Sequence, residues 1–240
     1  MNHVRSYEKL HNHNVSFLNS NTDTCYKYQT LTSNVMKVIL GTKEGMTQVF
    51  DANGVCHGAT VLKVVPALVT QVKSKDTDGY SAVQIASGVQ KEHRVGKAER
   101  GHAGGSFKSV KEFRPRVNYV ESVDALAKGQ SLDASVFKVG DLIVVSAISK
   151  GKGFQGGVKR HHFRGGPASH GQKHSEREPG SIGATGTHVL KGTRMAGRMG
   201  SDRITVKNLR VLQVNVEANV LLVSGAVPGR KGTLVEVRNV

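Results

Sequence analysis

The residue types that most often do chemistry in proteins cluster between residues 150 and 203. Four of the histidines of this segment stand close together: His161, His162, His170 and His174. His170 and His174 would share one face of a helix, which is a common spacing for zinc ligands. Gly171 lies between them, Pro167 precedes them and no cysteine is nearby, so we predict no metal site. We expect the imidazole rings to stack and to hydrogen-bond to phosphate instead.

No residue pattern in the sequence is typical of catalysis. Gly180–Gly183 is one residue short of the Gly-x-Ser-x-Gly motif of serine hydrolases. Gly41–Gly45 has two glycines and a lysine but lacks the Gly-Lys-Ser/Thr ending of a phosphate-binding loop, so we predict a hairpin turn there. An enzyme or nucleotide-binding module with a basic substrate channel is the alternative, but it lacks a nucleophile–base pair and a metal set. We therefore predict a protein that is not an enzyme and has no cofactor and no small-molecule substrate.

Lysine and arginine are the remaining candidates for function. Residues 150–203 contain eleven of them against three acidic residues, a net charge of +8 out of +16 for the whole chain. The same segment has 13 of the 28 glycines, which let backbone amides approach phosphates closely. Only six of its residues are Leu, Ile, Val or Phe, too few to form a core of its own. The segment therefore needs a partner, and its charge indicates a polyanion.

Arginine binds phosphate through two parallel hydrogen bonds or stacks on bases, whereas lysine acts as a point charge. We predict that RNA is bound by Lys150, Lys152, Lys159, Arg160, His161, His162, Arg164, His170, Lys173, Arg177, Lys191, Arg194, Arg198 and Arg203. A disordered basic linker has a similar composition. Pro167, Pro179 and regularly spaced apolar residues argue against it, as do the predicted strands on both sides.

Whole-chain composition favours the same partner. There are 34 basic and 18 acidic residues and the pI is about 10.0, which is typical of nucleic-acid binding, with an anionic surface as the second choice. Tryptophan is absent and aromatic residues make up 5%, so stacking on aromatic side chains is not the main mode. No apolar run is long enough to span a membrane. Cys25 and Cys56 stand too far apart for a zinc framework, and we expect unreactive thiols in a reducing compartment.

Short strand-like runs surround the basic segment and predict a mainly β protein, a barrel or sandwich. The predicted strands are Val38–Leu40, Met46–Phe50, Ala59–Val65, Leu68–Val72, Ala82–Ala86, Leu142–Ser149, Ile204–Val206, Val211–Val216, Val220–Val223 and Thr233–Val237. We expect Leu212, Val214 and Val216 to form one half-buried face. Strands on both sides turn residues 150–203 into a loop with fixed ends, far longer than ordinary connections.

The remaining segments are less regular. Residues 1–35 are rich in Asn, Ser, Thr and His, and we predict a poorly ordered extension, with Met36 as an alternative start. Residues 90–118 are basic, and a short helix beginning at His93–Lys97 should be interrupted by Gly101, Gly104 and Gly105. They form either a solvated, partly helical insert or a second RNA-facing surface. Val123–Lys128 is the best helix candidate.

Motifs along the chain resemble the bacterial-type third protein of the large ribosomal subunit. The matching segments are residues 39–50, 149–154 with Lys159 and Arg160, 165–171, 179–183, Lys191 with Gly192, 195–200, 203–206 and 221–229. They follow one another in order from about Met36 to the C-terminus.

The resemblance implies a β-barrel of the translation-factor type, with strands at about 36–66, 136–149 and 204–240. It also implies an α+β insert at about 67–135 and the loop 150–203, which penetrates large-subunit rRNA. The loop tip should lie near the peptidyl transferase centre, at Gly165, Gly166, Pro167, Ala168, Ser169, His170 and Gly171. The family binds rRNA early in subunit assembly, beside neighbouring ribosomal proteins, in the ribosome of the cytoplasm or an organelle.

Two departures from the family pattern affect this loop. His161 and His162 stand where the family often has Trp-Asn, so any ring stacking there would be by imidazole. Gly166 stands where some members carry a methylated glutamine, so that modification is absent here.

Overall fold

The computed structural model describes residues 34–115, 121–122, 126–183, 186 and 188–239. The strands are β1 Asn34–Val35, β2 Val38–Phe50, β3 Cys56–Val64, β4 Ala67–Lys73, β5 Ala82–Val89, β6 Phe107–Phe113, β7 Glu121–Ser122, β8 Ser131–Leu132, β9 Leu142–Ile148, β10 Gly153–Gln155, β11 Gly197–Met199, β12 Arg203–Asn215, β13 Val220–Ser224 and β14 Leu234–Asn239. The α-helices are α1 Lys75–Asp78, α2 Lys97–Ala103 and α3 Gly157–His161, with single 3₁₀ turns at Glu92–Arg94 and Ala134–Val136. The predicted mainly β class is confirmed.

Six strands pair in a ring in the order β12–β13–β3–β2–β14–β9, and β9 pairs back onto β12, which closes the barrel. All six pairings are antiparallel. Ile39, Val145, Leu221 and Val237 belong to the buried cluster formed by these strands. A closed ring leaves no unpaired edge, so the backbone hydrogen bonds of the barrel are satisfied between its own strands.

A four-stranded sheet in the order β6–β5–β4–β8 follows β3 along the chain. Its buried side chains share a second cluster with Met36, Val38 and Leu40 of the barrel side. The run Val38–Leu40 is therefore buried on both faces, with Ile39 in the barrel cluster and its two neighbours in the second one. This double burial explains why the run is wholly apolar rather than alternating.

The hairpin turn predicted at Gly41–Gly45 is wrong. Strand β2 runs unbroken through it, from Val38 to Phe50. Glu44 is the extra residue of a bulge, since Lys43 pairs with Leu62 and Gly45 with Val61. Gly41 lets the backbones come close, because a Cβ there would lie 3.0 Å from the carbonyl oxygen of Lys63. These glycines bend a barrel strand instead of ending it.

The Asp and Asn-Gly residues of Asp51–Gly54 predict a turn, and the structure confirms it. The Gly54 amide donates to the Asp51 carbonyl at 2.8 Å, and Gly54 has φ 78°, which joins β2 to β3. Helix α2 starts at Lys97, within the predicted start, and is capped by Gly104 with φ 69°, one of the glycines predicted to interrupt it. The predicted break at Gly101 is wrong, because the helix continues through that residue. A single glycine lowers helix stability but does not end a helix that has other support.

The helix predicted at Val123–Lys128 lies partly outside the described residues. Its described part, 126–128, is not helical. Leu126 is instead buried in the second cluster, so its apolar character reflects packing rather than a helical face.

Two bulges alter the inward face of β12. Its pairing with β9 shifts between Val206 and Leu209, and its pairing with β13 shifts between Val211 and Gln213. As a result Leu209, Val211 and Val214 contact the barrel cluster. The predicted face of Leu212, Val214 and Val216 is therefore only partly right, because an extra residue reverses the two-residue alternation.

Ion pairs tie strands together outside the cores. Asp141 accepts from Lys37 Nζ at 2.7 Å and from the Lys138 amide at 3.0 Å. Partial burial raises the pKa of Asp141, but these hydrogen bonds outweigh it, so the pKa lies below its ordinary value. Glu112 on β6 accepts from Lys73 Nζ of β4 at 2.7 Å, and this hydrogen bond lowers the pKa of Glu112.

The N-terminal extension predicted at residues 1–35 lies outside the described residues except for its last two. Asn34 and Val35 form β1, which pairs in parallel with β7. Met36 follows directly and is 2% exposed. In the described part of the chain, no helix is long and apolar enough to cross a bilayer.

Candidate nucleic-acid interface

The basic segment leaves and rejoins the barrel between two paired strands. Ile148 at the end of β9 is the register partner of Arg203 at the start of β12. One residue further out, the Ser149 amide donates to the Asp202 carbonyl at 2.9 Å. The two ends of the segment are thus fixed side by side on the barrel wall.

A short two-stranded stem carries the loop outward. The Lys152 amide donates to the Met199 carbonyl at 2.9 Å, and β10 then pairs with β11 from Gly153–Met199 to Gln155–Gly197. Gly200 makes the close approach of the two arms possible. It has φ 77°, and a Cβ there would lie 2.2 Å from the Lys150 carbonyl oxygen.

Helix α3 follows the stem and contacts the returning arm. Arg160 Nη1 donates to the Met195 carbonyl at 2.8 Å, and His161 Nε2 lies 3.0 Å from the same oxygen. A carbonyl oxygen only accepts, so His161 carries a hydrogen on Nε2. The helix ends at His162, whose φ is 60°. Two adjacent side chains of α3 are therefore held in place by one carbonyl of the opposite arm.

The predicted loop tip is closed at its base by a backbone contact. The Gly166 amide donates to the Glu176 carbonyl at 2.9 Å. Gly165 has φ 73°, and a Cβ there would lie 2.2 Å from the same carbonyl oxygen, so only glycine fits. Residues 167–171 extend beyond this point and are all exposed, with His170 and Gly171 in left-handed conformations.

The loop presents its charge to solvent. Of the fourteen predicted RNA-binding residues, Arg160 and His161 are half-buried and the other twelve are exposed. Within the described residues, no lysine or arginine from Lys150 to Arg198 forms an ion pair. Large apolar side chains of the loop are exposed as well, including Phe154 at 77% and Leu190 at 71%. The described part of the loop therefore has neither a core nor internal neutralisation of its charge.

Two cavities flank the stem. One, of about 430 Å³, is lined by Ser149, Lys150, Lys152, Arg160, His161, Arg198, Met199, Gly200, Asp202 and Ile204. The other, of about 400 Å³, is lined by Lys150 and Arg230 among mostly small residues. We call the first of them the stem cavity. Four lysines and arginines and a single carboxylate line it, so its potential is positive.

Comparison with known proteins identifies the family of this chain. Residues 85–220 match the family described as Ribosomal protein L3. Large ribosomal subunit protein uL3 of Bacillus cytotoxicus is 45% identical over 203 residues, which cover 84% of this chain and 96% of that protein. The uL3 of Streptomyces coelicolor is 48% identical over 209 residues, covering 85% and 95%. The uL3c of Porphyra purpurea is 44% identical over 205 residues, covering 83% and 97%.

The chain belongs to the ribosomal protein L3 family. This family is a structural, non-enzymatic component of the large ribosomal subunit, so the predicted family and the prediction of no enzymatic activity are confirmed. The predictions that the chain is a ribosomal protein of the large subunit and a component of translation are confirmed as well. In the part of the chain that the structure describes, no three His, Cys, Asp or Glu side chains are grouped as they would be in a metal site.

One predicted RNA-binding residue, Arg203, is paired with a carboxylate of the barrel. Arg203 Nη2 donates to Glu236 Oε2, and Lys111 Nζ lies 3.6 Å from Glu236 Oε1. Glu236 is on β14 with its side chain 13% exposed. The carboxylate thus joins the loop base, the barrel and the four-stranded sheet. The guanidinium of Arg203 is still exposed, and it is fixed at the point where the loop ends.

Sequence reasoning missed Lys43 as part of the loop base. Lys43 Nζ donates to the carbonyls of Val227 at 2.7 Å and Gly229 at 3.2 Å. Burial lowers its pKa, and the nearby positive charge of Lys150 lowers it further. Lys43 stands in a segment whose residues are typical of a turn. Lys150, Val227 and Gly229 lie more than 100 positions further along the chain, and no local sequence signal places Lys43 beside them. Only the closure of the barrel brings them together.

A second basic surface lies on α2, β6 and the 3₁₀ turn before α2. Lys91, Arg94, Lys97 and Lys108 are exposed there. Arg100, Lys111 and Arg114 are partly neutralised, by Glu92, Glu236 and Glu112 respectively. Both interpretations of this region from the sequence, a solvated insert and a second RNA-facing surface, stay open.

Proposed function

We propose that this L3 protein binds large-subunit rRNA through the loop 150–203 while the barrel rests on the RNA surface. The carrying observation is the loop itself, which starts and ends on paired barrel strands and has an exposed, unneutralised positive charge. A free loop with this charge repels itself, and phosphates remove the repulsion. RNA is thus the partner that both neutralises the loop and covers its exposed apolar side chains.

The stem and the tip of the loop have different roles in this proposal. The stem is held by backbone hydrogen bonds and stands on the barrel, so it positions the rest. The tip at Gly165–Gly171 is small and glycine-rich, so its backbone can approach closely packed RNA. By family resemblance we place this tip toward the peptidyl transferase centre. The chemistry there belongs to the RNA, and the tip supports its shape.

The two departures from the family pattern fit this proposal. His161, which replaces an aromatic residue, packs its ring 5.7 Å from that of Phe163, so an aromatic pair is present beside α3 even without tryptophan. Gly166 is tightly enclosed, since a Cβ there would lie 3.0 Å from the Ser175 carbonyl oxygen and from Gln172 Nε2. A long methylated side chain at this position would not fit in the described conformation.

The proposal includes early subunit assembly, with neighbouring ribosomal proteins as further partners. The barrel and the four-stranded sheet together supply a stable folded anchor, and the loop then docks into RNA that is still folding. Residues 36–240 act as one ribosomal domain, with 67–135 as the insert, and residues 1–35 as an extension outside it. The site of action is the ribosome, in the cytoplasm or in an organelle.

Cross-linking in cells tests RNA binding and separates it from nonspecific attachment to DNA or anionic surfaces. We expect contacts concentrated on large-subunit rRNA, from residues of the loop. The double variant Arg160→Ala with Arg164→Ala should reduce these contacts and impair subunit assembly. It should leave the melting temperature of the isolated protein unchanged, because the described contacts of Arg160 lie within the loop and Arg164 is exposed.

A matched control is Lys63→Ala with Lys207→Ala, which removes two exposed cations from barrel strands. Contacts spread evenly over many nucleic acids would favour the nonspecific alternative. A large drop in melting temperature for the loop variant would show that its two arginines stabilise the barrel instead.

A further inference from the structure

The stem cavity combines several cations at a fixed site. Lys150 and Lys152 come from the outgoing arm, Arg160 from α3 and Arg198 from the returning arm. Asp202 is the only carboxylate among its lining residues. Cations from three separate elements therefore converge on a space of about 430 Å³.

The cavity is preformed by contacts within the protein. Arg160 is anchored through Nη1 to the Met195 carbonyl, which leaves its other N–H groups for a ligand. Gly197 leaves room for this side chain, since a Cβ there would lie 2.6 Å from Arg160 Nη1. Gly200 holds the backbone of Lys150 against the returning arm in the same way. A planar guanidinium held in advance loses little freedom when it binds an anion.

The size and chemistry of the cavity select a phosphodiester. Its volume of about 430 Å³ is larger than a bare ion needs and leaves room for a phosphate with its attached sugars. Arginine and lysine donors on several sides match the non-bridging oxygens of a phosphate. The cavity opens beside the barrel, so a backbone bound here would be held at the base of the loop.

We propose that the stem cavity is a preformed site for one backbone phosphodiester of RNA, which fixes the base of the loop independently of the tip. This proposal rests on the RNA-binding function proposed above. It adds a defined position on the protein and predicts that binding there takes place in the free, fully folded chain.

The direct test is a titration of the full chain, followed by amide NMR, with a dinucleoside monophosphate as the phosphodiester and inorganic phosphate as the alternative source. Ionic strength is held constant with chloride. We expect saturable shifts at Gly151–Gly153 and Gly197–Gly200 with the dinucleoside monophosphate. Saturation by inorganic phosphate alone would overturn the proposal in favour of a free-phosphate site. Shifts that grow linearly with either probe would overturn it as well.

Two variants separate geometry from charge. Arg198→Gln removes one cation and should weaken dinucleotide binding several-fold. Gly197→Ala keeps every charge but displaces the Arg160 guanidinium, and it should weaken binding in the same direction. Lys63→Gln is the matched control, an exposed cation on β3, which pairs with neither β9 nor β12. Equal binding by all three variants would contradict the proposal.

The same variants with an rRNA transcript distinguish this inference from the proposed function. Arg198→Gln should lower rRNA affinity by roughly tenfold and reduce the slope of log K against log salt by about one. If it binds as tightly as the original protein while removal of the whole loop abolishes binding, the cavity proposal fails and the loop function stands. If removal of the loop changes nothing, the proposed function itself is wrong.

Discussion

Replacing Gly200 by alanine tests whether the stem is the element that positions the loop. Gly200 has φ 77°, and its added Cβ would lie 2.2 Å from the Lys150 carbonyl oxygen and 3.1 Å from the Gly151 Cα. Non-bonded atoms need about 3.5 Å, so the two arms must separate by roughly 1 Å. Both neighbours are backbone atoms, and no side-chain rotation relieves the contact.

Two contributions destabilise the closed stem in the Gly200→Ala variant. A left-handed conformation costs alanine about 1–2 kcal/mol. Separation of the arms weakens the hydrogen bonds of the Lys152 and Ser149 amides, which contribute about 1 kcal/mol each. If both hydrogen bonds are lost, the total is about 3–4 kcal/mol against the closed stem, which raises its open population between about 150-fold and 1000-fold.

Gly192→Ala is the matched control. Gly192 has φ 90° in the same loop, but no atom lies within 4 Å of its added Cβ. Gly192→Ala therefore carries the free-energy cost of a left-handed alanine but does not push the two arms of the loop apart. Hydrogen exchange of the full chain measures both variants, through the amides of Ser149 and Lys152, with the melting temperature as a readout of the barrel.

We expect Gly200→Ala to speed exchange at those two amides and to leave the barrel melting nearly unchanged, since local costs in a loop do not reach the cores. Gly192→Ala should leave both amides as they are. Binding to large-subunit rRNA should fall for Gly200→Ala. Unchanged exchange in Gly200→Ala, or equal effects of both variants, would refute the reasoning that close approach of the arms holds the stem.

Two further predictions concern the carboxylates that join elements. Glu236→Gln removes the charge shared by two cations and should cost about 1 kcal/mol of thermal stability, more at low salt, whereas the exposed Glu217→Gln should cost nearly nothing. The depressed pKa values of Asp141 and Glu112 contribute stability that is present above their unfolded values of about 4 and is lost as pH falls through the lower folded values. The melting temperature should therefore fall below about pH 4. The double variant Asp141→Asn with Glu112→Gln should show a smaller fall, and an equal fall in both proteins would contradict this.

Much of the fold could be predicted because its signals are local. The turn at Asp51–Gly54 depends on residue types with known conformations. So does the break between the predicted strands Ala59–Val65 and Leu68–Val72, since Pro66 separates them and cannot donate in a strand ladder. The charge and glycine content of residues 150–203 likewise identify the loop without knowledge of its neighbours. Such features depend on a few adjacent residues, so composition and spacing are sufficient to find them.

The features that were missed depend on contacts far apart in the chain. Gly41–Gly45 contains the residues of a turn, but pairing with β3 and β14 makes it a bent strand. A bulge of β12 between Val211 and Gln213 shifts the two-residue alternation where the predicted face of Leu212, Val214 and Val216 begins. The partnership of Arg203 with Glu236, 33 residues apart, exists only because the ring of strands closes.

Replacement of the loop is the most direct test of the central claim, that the loop carries RNA binding and the barrel supports it. Ser149 and Asp202 are already bridged by a backbone hydrogen bond, so residues 150–201 can be replaced by Asn-Gly, which favours a tight hairpin. The affinity of this protein and of the original for a large-subunit rRNA transcript is then measured over a range of salt. We predict an equal or higher melting temperature, a loss of affinity of several orders of magnitude, and a salt slope reduced by about 0.7–0.9 for each phosphate contact removed. A shortened protein that binds the transcript with the original affinity and slope would contradict the account.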